Sequence, residues 1–199
     1  MGLARTLAVT LTGLRGHLVD VEAHAAQGLP GFTLVGLPDA AVRESRERVR
    51  AALSSCGVTW GEHRLTVNLS PADLRKSGTG LDLALALAVL GARGRLGKGA
   101  AAQLGRTVYI GELGLDGSVH PVRGVLPCVQ AAVSAGIEQI VVAQGAAAEA
   151  RLVQGASHAT PSALAMRLID MCTTTRAWSA HSSAVRVRLH RGAAAWVRS

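Results

Sequence analysis

The stretch Leu74-Arg75-Lys76-Ser77-Gly78-Thr79-Gly80-Leu81-Asp82-Leu83-Ala84-Leu85-Ala86-Leu87-Ala88-Val89-Leu90 decides the fold class. Its first half is a polar, glycine-rich loop. Its second half, Leu81–Leu90, reads as a helix that is apolar nearly all round, and such a helix belongs at the centre of a core rather than on a surface. The run Leu81–Ala92 is interrupted by Asp82 and is too short to cross a bilayer.

Strand patterns flank this centre. Leu3–Leu14 and Leu18–Ala25 alternate, with Leu18, Asp20, Glu22 and His24 on one face and Val19, Val21 and Ala23 on the other. Gly13–Gly16 is a turn between them. Gly28–Gly31 is a second turn, before the short run Phe32–Val35. Asp39 is the expected N-cap of a helix with the apolar stripe Val42, Ser45, Val49, Ala52, Leu53 and Cys56, ended by Gly57. Its other face, Arg43, Glu44, Glu47, Arg48 and Arg50, reads as a solvated face laced with i,i+4 pairs. Arg64–Leu69 is a strand. Gly91–Gly105 reads as an exposed connector, and Thr107–Leu115 as one strand returning through a tight Asp116-Gly117 hairpin to Ser118–Val122. Val125–Ala135 is a helix with Pro127 in its first turn, and Gln139–Ala143 is a buried strand. Ala146–Val153 and Ser162–Cys172 read as two further helices. Strands mixed with helices, plus one clear hairpin, give an α+β or α/β class with a mixed sheet.

The chain has 199 residues, 49% hydrophobic and 17% charged, which excludes a disordered chain. Its +8 net charge raises nucleic acid as a partner. The charge is unevenly placed. Residues 1–172 carry a net of only +3, and Thr173–Ser199 holds five arginines and no acid. A domain over 1–172 and a basic, poorly ordered tail over 173–199 are therefore expected. Within the tail, Val185–Leu189 alternates and allows one edge strand. Arg176, Arg186, Arg188 and Arg191, with two tryptophans nearby, are candidate nucleic-acid contacts. Three scattered cysteines argue for reduced thiols, a cytoplasmic setting and no zinc site. The N-terminus matches a signal peptide poorly, because Thr10, Thr12 and Arg15 interrupt its apolar run. The short myristoylation pattern at Met1–Thr6 has no second feature behind it.

Gly97-Lys98 fails the phosphate-binding loop pattern twice, with Ala92 upstream and Gly99 downstream. No dinucleotide fingerprint or zinc-protease motif occurs, so no metal and no cofactor is expected in this chain. The candidate contacts are Arg75, Lys76, Ser77 and Asp82, where small residues at a helix mouth can offer backbone N–H groups to an anion. The competing reading, a turn that merely launches the core helix, is favoured.

Several blocks, in order, resemble the magnesium-chelatase-like AAA+ proteins of the YifB/ComM family. They are Gly28-Leu29-Pro30-Gly31-Phe32-Thr33-Leu34-Val35-Gly36-Leu37-Pro38-Asp39, Val42-Arg43-Glu44-Ser45, Val67-Asn68-Leu69-Ser70-Pro71-Ala72-Asp73-Leu74, Leu81-Asp82-Leu83-Ala84, Ile110-Gly111-Glu112-Leu113 and Val122-Arg123-Gly124-Val125-Leu126-Pro127. The resemblance covers roughly residues 3–172. It implies a bacterial, cytosolic setting and an N-terminal domain similar to the proteolytic domain of Lon, of the ribosomal-S5-domain-2-like α+β fold with a mixed sheet and packed helices. In the family an ATPase module follows, which carries ATP and magnesium. The competence member is associated with DNA branch migration as a hexameric ring, so a homo-oligomer, an AAA+ module and DNA are the partners implied, with no membrane.

The same resemblance implies what is missing. Lon uses a serine nucleophile and a lysine base, and the base must be desolvated enough to take a proton. Here the serine position is Gly80 and the two candidate lysine positions are Leu126 and Cys128. The adjacent Lys76 and Ser77 are expected to diverge. A non-catalytic domain of such an ATPase, cut before its ATPase module, is therefore expected. The alternatives are a DNA-binding module and a divergent Ser/Lys peptidase.

Overall fold

A computed structural model describes residues 2–153 and 184–188. The chain opens with β1 (Gly2–Thr12) and β2 (Arg15–Gln27), paired antiparallel from Gly2↔Ala25 to Thr12↔Arg15. The two-residue turn between them has Gly13 at φ 62, a left-handed position that glycine takes without steric cost. β3 (Gly31–Val35) runs parallel to β4 (His63–Ser70), and β4 pairs antiparallel with β2. Between β3 and β4 lies α1 (Ala40–Ser55). Its cap is the expected one, with the Val42 N–H donating to Asp39 Oδ1 at 2.8 Å.

The central helix α2 (Asp82–Ala92) packs against β1, β2 and α1, which explains why no face of it is polar. The expected exposed connector instead holds a short helix, α3 (Lys98–Gln103), and a 3-10 turn whose Leu104 is buried in the core. The single strand expected over Thr107–Leu115 is split. β5 (Thr107–Ile110) joins the main sheet, and β6 (Glu112–Leu113) turns away to pair with β7 (Val119–His120). Gly111 is the break. Its N–H donates to Gly80 O (3.1 Å) and its carbonyl accepts from Leu83 N–H (3.2 Å), so both groups leave the ladder for the mouth of α2. The β6–β7 connection is also longer than the expected tight turn: it runs from Leu113 to Val119, with the Asp116 carboxylate accepting from the Ser118 N–H and hydroxyl. Those bonds hold the Asp116 carboxyl below its ordinary range.

α4 (Val125–Ser134) follows a left-handed Gly124, and β8 (Gln139–Ala143) runs parallel to β5. The helix expected over Ala146–Val153 is shorter, a 3-10 turn and then α5 (Ala147–Ala150). The helix expected over Ser162–Cys172 lies outside the described residues. The edge strand read from the tail is present as β9 (Ala184–Arg188), antiparallel to β8 with Gln139↔Arg188 and Val141↔Arg186. Five residues of the basic tail thus belong to the sheet.

The main sheet has seven strands in the order β3-β4-β2-β1-β5-β8-β9. It is mixed, and the class is α+β, as expected. Alternation divides two cores. Val19, Val21, Leu65, Val67 and Tyr109 face α1 and α2, whereas Leu7, Val9, Val108, Ile110 and Ile140 face α4 and α5. Among the described residues, no helix is long and apolar enough to cross a membrane.

Candidate functional site

The break at Gly111 opens a pocket of about 510 Å³ between the C-terminal part of β1, the loop 77–80, β6 and the start of α4. Ser77, Thr79, Gly80, Glu112, Arg123 and Cys128 line it, over an apolar base that includes Val9, Leu11 and Ile110. The loop is fastened to β1. Ser77 N–H donates to Thr10 Oγ1 (3.0 Å), and Ser77 Oγ donates to Leu11 O (3.2 Å). On the opposite wall Thr79 Oγ1 donates to Glu112 Oε2 at 2.5 Å.

The four loop residues singled out from sequence part ways. Ser77 lines the pocket and Arg75 is exposed. Lys76 is fully buried, its Nζ donating to Pro71 O, and its backbone bridges the start of α1: Lys76 N–H donates to Leu37 O (3.1 Å) and Asp39 N–H to Lys76 O (2.9 Å). Burial pushes its ammonium below the usual lysine range, with Asp73 opposing in part. Asp82 is fully buried and gripped by Arg48, through Nε to Oδ2 at 2.6 Å and Nη2 to Oδ1 at 3.1 Å. Leu113 N–H donates to the same carboxylate at 3.2 Å.

This corrects the reading of Arg48 as part of a solvated helix face. Arg48 also donates to Ala41 O (3.1 Å) and Ser45 Oγ (3.0 Å), so its guanidinium ties α1 to α2 through Asp82, whose carboxylate in turn holds β6 at Leu113. The carboxylate beside it holds its pKa above the ordinary arginine value. A helical projection shows Arg48 off the apolar stripe, and nothing local in the sequence names a buried partner 34 residues away.

Two of the amides at the mouth of α2 are already engaged. Asp82 N–H donates to Thr79 O and Leu83 N–H to Gly111 O. Lys76 and Ser77 do not form a dyad, because their side chains run to Pro71 and to Leu11 respectively.

Of the three positions that the resemblance sets against the Lon dyad, the serine position meets one of the two lysine positions. Gly80 and Cys128 line the same pocket, while Leu126 lies outside it beside the β1–β2 turn. Gly80 offers no nucleophile. Cys128 is buried, and desolvation, with Glu149 adding to it, pushes its thiol up to about 12. It is a neutral thiol at physiological pH, neither a base nor an activated nucleophile. Sequence reasoning missed Thr79, Glu112 and Arg123 as pocket residues. The signal that was there is the Gly111-Glu112 pair directly after a strand, where the ladder must break. No cluster of three or more potential metal ligands occurs among the described residues.

The family model for subunit ChlI of Mg-chelatase matches residues 21–146. An uncharacterized protein of Mycobacterium tuberculosis is 51% identical over 155 residues, covering 78% of this chain and 30% of that protein. Competence protein ComM of Haemophilus influenzae is 40% identical over 146 residues, covering 73% of this chain and 28% of ComM. Lon protease of Mycolicibacterium smegmatis is 31% identical over 150 residues, 72% of this chain and 18% of that protease. The chain thus spans about 30% of the length of the mycobacterial relative and 28% of ComM. With more than half of its residues matched in register, the chain belongs to the family of Mg-chelatase subunit ChlI.

Proposed function

We propose that this chain is a non-catalytic, Lon-like domain of a ComM/YifB-type protein, working in the cytoplasm through protein contacts. One observation carries the reading. The pocket where the serine position meets one lysine position holds Gly80 and a buried, protonated Cys128. A Lon-type proteolytic step needs a nucleophile and a base within hydrogen-bond reach at these positions, and Gly80 and a protonated Cys128 supply neither. On this reading ATP and magnesium act on an ATPase module, and competence-linked DNA processing belongs to the whole assembly. The test is a fluorogenic peptide assay on the chain and on Lys76→Ala and Ser77→Ala variants. No turnover above buffer is expected in any of them. Turnover that Ser77→Ala abolishes would establish the divergent peptidase instead.

A second reading, DNA contact by the basic tail, has one structural observation in its favour: β9 brings Arg186 and Arg188 onto an edge of the sheet. Arg176 and Arg191 lie outside the described residues. Salt-dependent binding of short DNA is the measurement that addresses it.

A further inference from the structure

β3 stands at one end of the seven-stranded sheet, paired to β4 on one side and to no strand on the other among the described residues. Folded proteins usually protect such an edge with charges, a bulge or a proline within the strand. This edge has none of these. The segment Gly28-Leu29-Pro30-Gly31-Phe32-Thr33-Leu34-Val35-Gly36-Leu37-Pro38 contains no charged residue, and three of its apolar side chains face water: Leu29 at 81%, Leu37 at 55% and Val35 at 42% exposure.

Leu37 is also the single non-glycine residue with positive φ (55°) among the described residues, held there because Lys76 takes its carbonyl. A leucine in the left-handed region is strained, and the strain here turns an apolar side chain outward.

Within the strand Thr33 is flanked on both sides by an apolar residue, Phe32 and Leu34, and the exposed Leu29 and Leu37 lie four residues to either side. Antiparallel pairing with an identical strand on a two-fold axis through Thr33 sets Phe32 against Leu34, Gly31 against Val35, and Leu29 toward Leu37. Such an axis, perpendicular to the sheet, keeps each face on its own side. Phe32 and Leu34, which pack on the core beneath α1, would continue that apolar layer across the junction, and Thr33 would meet Thr33 on the outer face. Apolar and Thr–Thr cross-strand pairs both favour the contact. An uncharged edge matches another uncharged edge, and self-complementarity is what a two-fold interface requires.

We infer that the β3 edge is a self-association surface, on which a second copy of this chain adds its own β3 to make one continuous sheet. The inference is independent of the non-catalytic reading above, because association and peptide turnover are measured separately. A five-residue strand and its flanks fall short of the roughly 1,600 Å² of a standard interface, so the dimer is expected to be weak and concentration-dependent.

The test is sedimentation of the full chain over a micromolar concentration series, alongside Thr33→Lys and Thr33→Glu. Thr33 is exposed, so both variants should fold, which circular dichroism checks. Each variant alone places like charges across the axis and should associate at least about tenfold more weakly. Mixing the two should restore association. Leu37→Asn is an independent variant. Asn tolerates positive φ, so it should keep the fold and weaken the dimer. A chain that stays monomeric throughout, a dimer indifferent to both Thr33→Lys and Leu37→Asn, or a mixture that associates no better than its parts would each overturn the inference.

Discussion

Lys76 shows how a residue's chemistry follows from its surroundings rather than its type. A lysine in a glycine-rich loop suggests an exposed cation. Here the loop crosses the start of α1, its backbone bridges Leu37 and Asp39, and the side chain is carried inside to the Pro71 carbonyl. Burial lowers its pKa, so the unfolded chain binds this proton more tightly than the folded one. The charged form therefore costs stability at neutral pH. That cost is present below the folded pKa and is relieved as pH rises towards the ordinary lysine value of 10.5. Lys76→Met is expected to unfold at higher urea than the parent chain at pH 7, with the gap narrowing near pH 10. A gap independent of pH would mean that the ammonium is solvated in the folded chain. Cys128 shows the reverse sign. Its thiol is raised from 9.0 to about 12, so the neutral form contributes stability that is fully present below pH 9 and lost as pH rises through 12.

Between elements, glycines decide what the sheet and the pocket can accept. A Cβ on Gly36 would lie 2.0 Å from the Leu69 carbonyl oxygen, and its φ of 99° already disfavours any side chain. Gly36→Ala is expected to cost roughly 3 kcal/mol or more and to loosen β3 from β4. Gly80 is the opposite case. A Cβ there meets only Val122 Cγ2, at an ordinary 3.5 Å. Gly80→Ser should therefore change stability by less than about 1 kcal/mol. Urea melts of the two variants check both, and a Gly80→Ser chain as unstable as Gly36→Ala would mean the pocket is closed to a side chain. The same contrast marks what the sequence made legible. Alternation in β1, β2 and β4, the Asp39 cap and the all-apolar α2 are local patterns, and all are found. The break at Gly111, the grip of Arg48 on Asp82 and the inward turn of Lys76 depend on segments tens of residues apart. No periodicity encodes them. The pocket was legible at Ser77, from the chemistry of its loop, and as a family match at Gly80 and Cys128; Thr79, Glu112 and Arg123 join it only after folding brings a loop, a two-residue strand and the approach to α4 together.

At the scale of the molecule, charge and architecture interlock. Residues 1–172 are close to balanced, and the excess sits in 173–199. The sequence suggests testing that excess by deletion at residue 173. The sheet argues against it, because β9 covers one side of β8, whose Ile140 and Val142 belong to the core against α4. Deleting the tail would uncover a buried strand's edge as well as remove charge, and any loss of DNA binding would be uninterpretable. Substitution separates the two effects. A chain carrying Arg176→Gln, Arg186→Gln, Arg188→Gln and Arg191→Gln keeps the β9 backbone and sheds four positive charges. If the tail contacts phosphates, the slope of log affinity against log salt should fall by up to about 0.9 for each arginine so engaged, with affinity falling at every DNA sequence alike. If the chain works by protein contacts alone, the parent and the variant should show the same weak, non-specific retention. The two-fold association at β3 lies at the far edge of the sheet from β9 and should be unchanged in the variant.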